Sequence, residues 1–268
     1  MSTLGPLRMF AARFCRNYSA VFGLLLLICV GLMAASASVL FPEDPWDMVS
    51  TPFLWPGQDH NFLLGSDIMG RDLAAGLFHG SRVSLLVGFS ATLAAVLIGT
   101  TIGAIAGYYG GLADSIAMAI TELFQTIPQF IFAIVVVAIL SPTVTTVTFA
   151  LGIVSWPSIA RLVRAEFMTL RERDFVAASV SIGMSSFRII TTQILPNALG
   201  PIIVTGSLMV ATAILTEAGL AFLGLGDPNV MSWGTIIGAG RDALRTAWYI
   251  TAIPGLAIMF TVLGLNLV

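Results

Sequence analysis

Long apolar runs dominate this chain, and its polar residues cluster between them. Six segments are apolar over enough residues to cross the hydrocarbon core of a bilayer as helices, which takes about 20. They are Tyr18–Leu40, Ser84–Gly107, Ser115–Leu140, Thr143–Ala160, Leu199–Ala221 and Trp248–Val268. The fourth is the weakest: threonine and serine are frequent in it and Pro157 interrupts it, which predicts a shortened or kinked helix. The pattern predicts an all-α polytopic membrane protein with six transmembrane helices. The stretch Phe41–Gly80 is polar and holds Pro42, Pro45, Pro52, Pro56, Trp46 and Trp55, so it reads as an irregular cap along the membrane interface. A soft boundary near Gly80 separates residues 1–80 (N-terminal segment, first span and cap) from residues 81–268, the main bundle.

Composition agrees with the pattern, with 57% hydrophobic and only 10% charged residues. All twelve basic residues are arginine, and a chain without lysine cannot supply the phosphate-binding lysine of a P-loop. It is therefore not itself a Walker-type ATPase. Arginine placement sets the orientation, because cytoplasmic flanks retain basic residues. With the N-terminus inside, Arg8, Arg13, Arg16, Arg161, Arg164, Arg171, Arg173 and Arg188 are cytoplasmic, while Arg71, Arg82, Arg241 and Arg245 are external. The run after Arg16 is long enough to span, so it is expected to be a retained helix and not a cleaved signal. Cys15 and Cys29 on one helix would stand about 21 Å apart, too far to bridge.

Candidate chemistry is sparse. His60 and His79, both in the cap, lack the tight spacing of a metal site and read as surface or capping residues. Gly99, Gly103 and Gly107 repeat every four residues on one helix face, which lets another backbone approach closely, for packing or for motion. Glu122 and Glu217 fall at membrane depth, where an ionised carboxylate must face protein, water or a partner. Either they relay protons or they are hydrogen-bonded near helix ends. The turn "GYYGGLAD", 107–114, is a tight reversal and not a phosphate loop.

The segment Arg171–Asn197 is different in kind. Asp174 is placed to cap a short helix with Phe175, Ala178, Ser179 and Ile182 on one face. Gly183 then supplies a left-handed corner, Ser185 or Ser186 starts a second helix through Phe187, Ile190 and Ile194, and Pro196 ends it. A helix resting on a membrane surface would carry large apolar and many basic residues. This one presents Ala177, Ala178, Ser179 and Ser181, small enough to fit another protein's groove, and is expected to be a docking element.

At these residues the chain resembles the inner-membrane permeases of ABC importers, whose cytoplasmic loop carries an EAA triplet, then a glycine, and later a Leu-Pro pair. Ala177, Ala178 and Ser179 occupy the EAA places, Gly183 is the glycine, and Leu195 and Pro196 are the terminal pair. Ala177 for Glu, Ser179 for Ala and Gln193 for Ile depart from the pattern. "LLGSDIMGRD", 63–72, "GSRVSLLVG", 80–88, "WPSIARLVRAEF", 156–167, "EAGLAFLGLG", 217–226, and "PGLAIMFTVLGLNL", 254–267, are similar to the dipeptide, oligopeptide and nickel permease group, second-subunit type. That group carries an arginine at the position of Ala119, an aspartate at that of Glu122, and a polar Gly-Asp-Gly tail after the position of Val268, so a tail is expected beyond this sequence.

The resemblance implies a type I ABC importer permease fold, with a coupling helix between helices 4 and 5 that sits in a groove of an ATPase. The coupling residues would be Asp174, Phe175, Ala177, Ala178, Ser179, Gly183, Leu195 and Pro196. It implies a bacterial inner-membrane subunit paired with a second permease, two cytoplasmic ATPase subunits that bind ATP and Mg, and an external binding protein. No enzyme activity, cofactor, metal or nucleic acid is expected in this chain. Di- or oligopeptides are the expected cargo; nickel, glutathione and opines are the alternatives, and a proton-coupled carrier using Glu122 and Glu217 is the competing class.

Overall fold

The computed structural model describes residues 14–268, so Arg8 and Arg13 lie outside the described residues. Among these residues the regular structure is helical, apart from two isolated antiparallel bridges, Met48 with Arg71 and Ser66 with Asp72. In chain order the helices are α1 (Tyr18–Leu40), α2 (Leu73–Tyr109), α3 (Gly111–Gln125), α4 (Gln129–Leu140), α5 (Val144–Arg171), α6 (Asp174–Ser181) and α7 (Ser186–Ile189). A π-turn, Ile190–Ile194, leads into α8 (Leu195–Phe222), followed by α9 (Trp233–Gly240) and α10 (Tyr249–Leu267). Five helices are long and apolar enough to cross a membrane, and α3 and α4 reach that length and apolarity only together, as a pair bent by 79°. Two compact units result: one joins the described residues up to Val87 to Ile214–Val268, and the other is Gly88–Ala213.

In the first unit, α1 lies on α10. A Cβ on Gly23 would stand 2.7 Å from Leu267 Cβ, so only glycine permits this approach. Asn17 starts α1 by accepting from the Ala20 amide. Near its other end, the Arg82 guanidinium of α2 donates to the Ala34 and Ala35 carbonyls and the Ser38 hydroxyl. The cap is held by local bonds. Buried Ser66 accepts from the Leu54 amide at 3.0 Å and donates to Thr51 O at 2.6 Å. Asp67 Oδ1 accepts from the Met69 and Arg71 amides, Arg71 stacks 4.4 Å over Trp46, and the Tyr249 hydroxyl lies 2.9 Å from both Leu54 O and Ser66 O. Asp72 accepts from the Ala74 amide as α2 begins, and burial pushes its carboxyl up from the usual range.

The second unit is built around α5. Ile159, Val163 and Phe167 form a core with Val176, Ile189, Ile194, Ala198 and Ile202. Phe124 packs on both Phe132, at 5.8 Å, and Trp156, at 5.3 Å, so the end of α3, the start of α4 and the middle of α5 share one aromatic contact.

Four local expectations are corrected. Ser115–Leu140 is not one helix: α3 and α4 bend by 79° across Thr126–Pro128, because Pro128 disfavours helical geometry in the residue before it. The weak fourth span is neither shortened nor broken at Pro157 but runs 28 residues to Arg171. It is the most enclosed of the five, 56% buried, so much of it, Pro157 included, meets protein and not lipid. The second span starts at Leu73, which leaves Gly80 inside α2 and ends the cap at Asp72. Pro196 does not end a helix, because the Leu195 amide bonds back to Ile190 O in a π-turn, widening the helix where the proline ring would clash.

Candidate functional site

The segment expected to dock a partner folds as a helix, a glycine corner and a second helix. Arg173 stands at the cap position of α6 without a side-chain bond, and Asp174 is the first helical residue, not the cap. Its carboxylate in the first turn still complements the helix dipole. Gly183 has φ of +78°, the left-handed conformation that lets the Met184 amide return to Ser179 O at 3.1 Å. Ser185 holds the cap position of α7 with extended backbone and no side-chain bond.

Burial divides the two faces of α6. Val176 and Ser179 face the core, and the Ser179 hydroxyl donates to Phe175 O at 2.9 Å. Ser179 is thus corrected from the docking face to the inner face. The outer face carries Phe175, Ala177, Ala178, Ser181 and Ile182, with Phe187 beyond the corner, while Leu195 is half-buried and Pro196 exposed. Against this face lies an open groove of about 570 Å³ lined by Tyr108, Tyr109, Arg171, Glu172, Val176, Ala177, Val180 and Ser186. Arg171 fixes one wall by donating to Tyr108 O at 2.7 Å.

The glycine repeat is a seam between α2 and α5. A Cβ on Gly99 would meet Trp156 O at 2.7 Å, one on Gly103 would meet Ala160 O at 2.5 Å, and one on Gly107 would meet Arg164 O at 2.7 Å. From the same end of α5, Arg164 makes a two-point ion pair with Asp114, Nη2 to Oδ2 being 2.6 Å, and Arg161 donates to Gln125 Oε1 at 2.9 Å. Sequence reasoning placed these arginines in a cytoplasmic flank and missed their partners, although "GGLAD" contains one of them.

The two carboxylates at membrane depth differ. Glu122 is exposed on α3 and makes no ion pair among the described residues. Glu217 is buried in the first unit, accepting from Ser232 Oγ at 2.6 Å and from Ser84 Oγ at 3.4 Å. Ser232 also accepts from the Thr235 amide, and Ser84 from the Trp233 amide, so both hydroxyls join the carboxylate to the start of α9. The serines were missed because they lie 133 residues before and 15 after Glu217 in sequence. His79 Nε2 lies 2.9 Å from Phe41 O, and His60 is exposed. Cys15 and Cys29 are free thiols. No group of three or more metal-binding side chains occurs among the described residues.

This fold is that of an ABC importer's membrane permease: a chain of the MetNI methionine ABC transporter in an inward-facing conformation aligns with a TM-score of 0.56 at 21% identity, covering 70% of this chain and 91% of that one. The family model described as binding-protein-dependent transport system inner membrane component matches residues 99–268. A second model, the N-terminal TM domain of oligopeptide transport permease C, matches residues 5–60. The chain belongs to the family of binding-protein-dependent transport system inner membrane components and is a multi-pass inner-membrane protein. Among its relatives, the di/tripeptide transport system permease DppC of Pseudomonas aeruginosa is 38% identical, over 98% of this chain and 88% of that protein. The dipeptide permease DppC of Haemophilus influenzae is 37% identical, over 98% and 91%. The glutathione permease GsiD of Pectobacterium atrosepticum is 35% identical, over 98% and 87%.

Proposed function

We propose that this permease carries di- or oligopeptides inward after an external binding protein delivers them. It would pair with a second permease subunit, and one of two cytoplasmic ATPase subunits would seat against α6. In this reading the ATPase subunits bind ATP and Mg and perform all the catalysis; this lysine-free chain receives the mechanical work. The N-terminus and the α6–α7 corner then lie in the cytoplasm, on the side that collects eight of the twelve arginines.

The observation that carries the reading is the α6–Gly183–α7 corner, whose exposed outer face sets the small residues Ala177, Ala178 and Ser181 beside the apolar Phe175 and Ile182, with a positive φ at the glycine and an open groove beside Ala177. Peptide cargo is favoured over nickel or opines because the DppC relatives named for peptide transport are 37–38% identical across nearly the whole chain.

The test is uptake into proteoliposomes holding the assembled transporter. ATP-dependent accumulation of a labelled dipeptide, exceeding that of glutathione or Ni²⁺, is the expected result; uptake driven by a proton gradient without ATP would overturn it. Gly183→Arg is expected to insert and assemble, yet to abolish uptake by uncoupling it from ATP hydrolysis. Normal uptake by that variant removes the coupling assignment.

A further inference from the structure

Helix α5 packs along α4 and is joined to three further neighbours by different physical means. The glycine seam brings the α2 backbone into van der Waals contact with it through Gly99, Gly103 and Gly107. At its C-terminal end only Glu172 and Arg173 intervene before α6 begins, and Arg171 donates to the Tyr108 carbonyl at the end of α2. The third neighbour, α3, is held by arginine side chains at both ends.

Asp114 and Gln125 stand eleven residues apart on α3, on the same face and about 16 Å apart along the axis. Arg164 and Arg161, one turn apart on α5, reach these two positions in opposite directions. The Arg164–Asp114 contact is a two-bond fork, which fixes angle as well as distance. The Arg161–Gln125 contact stands one residue before the 79° bend into α4, and beside it Phe124 packs on Trp156 of α5 and Phe132 of α4.

We infer that Arg164 and Asp114, supported by Arg161 and Gln125, form the joint through which movement of α6 reaches the bent α3–α4 span. Because α5 is one uninterrupted helix from Val144 to Arg171, displacement of α6 at its end moves the two arginines as a rigid rod. The fork and the second arginine then carry α3 along, so the displacement arrives at the bend. These are positioning residues for transport, outside the segment that would touch the ATPase. The inference rests on the proposed role of α6.

The experiment uses the complete transporter in proteoliposomes and reads ATP hydrolysed against peptide taken up. Asp114→Asn and Arg164→Met are expected to lower uptake by about tenfold while substrate-stimulated hydrolysis continues, raising the ATP consumed per peptide. The exchanged pair, Asp114→Arg with Arg164→Asp, is expected to recover most of the uptake, because it restores the fork with reversed charge. Wild-type stoichiometry in both single variants overturns the inference. So does loss of assembly in both with no recovery in the exchange, since that is the behaviour of a pair that only holds the fold together. Gly183→Arg is measured in parallel. If it leaves coupling intact, the α6 reading itself fails; if it uncouples while the Asp114 and Arg164 variants do not, only the joint fails.

Discussion

The Ser232 hydroxyl donates to Glu217 Oε1 at 2.6 Å while accepting from the Thr235 amide at 3.1 Å, which ties a buried carboxylate to the first turn of α9. Ser84 repeats the arrangement from α2, donating to Oε2 and accepting from the Trp233 amide. The carboxyl group therefore sits at the positive end of a helix dipole, linked to it by two hydroxyls. That position gives a buried glutamate at membrane depth a structural explanation without a proton pathway.

Glu217→Ala is expected to lower stability by about 1–3 kcal/mol, because both serine hydroxyls lose a buried acceptor. Glu217→Gln keeps the shape and one acceptor and should cost less. Thermal unfolding of the purified complex in detergent, comparing both variants with wild type, checks the order.

Glycine substitutions should separate by surroundings. A Cβ at Gly103 would stand 2.5 Å from Ala160 O, so Gly103→Leu is expected to force α2 off α5 at a cost of about 1–3 kcal/mol. At Gly200 nothing lies within 4 Å of the added atom, and Gly200→Ala inside α8 should be neutral or raise stability by up to about 1 kcal/mol. Equal thermal midpoints for the two variants would contradict the seam.

Ala177→Glu tests the groove beside α6. A longer acidic side chain there is expected to partly fill the space between Val176, Val180 and the Tyr108–Tyr109 pair. If the ATPase contact relies on shape alone, ATPase binding measured by co-purification should weaken. If binding tightens instead, the partner presents a cation at this point.

Arg82→Met keeps an unbranched stem but removes the cation beside the last turns of α1. Loss of that interaction with the helix C-terminus is expected to cost about 1 kcal/mol. Limited proteolysis of the cap around Phe41, faster in the variant, is the corresponding readout.

Much of this architecture was legible from local pattern. The spans at Tyr18–Leu40 and near the C-terminus match α1 and α10, because an unbroken apolar run of that length has one economical solution in a bilayer. The Gly183 corner was legible for the same kind of reason: a glycine between a small-residue helix and a serine-started one points to a left-handed turn. Where composition was a poor guide, enclosure explains it. The fourth span reads as weak because of its threonines, serines and Pro157, and it is the most buried of the five.

The sequence by itself determined the helical class, five of the apolar crossings and the place of the corner segment, since each depends on residues adjacent in the chain or one helical turn apart. Only the tertiary structure decided which side of α6 faces inward, which residues hold Glu217, and that Arg164 reaches Asp114 across 50 positions. Those facts depend on which helix faces are brought together. A hydroxyl, a carboxylate or an arginine shows the same local signal whether its partner is near or absent, until packing supplies the partner.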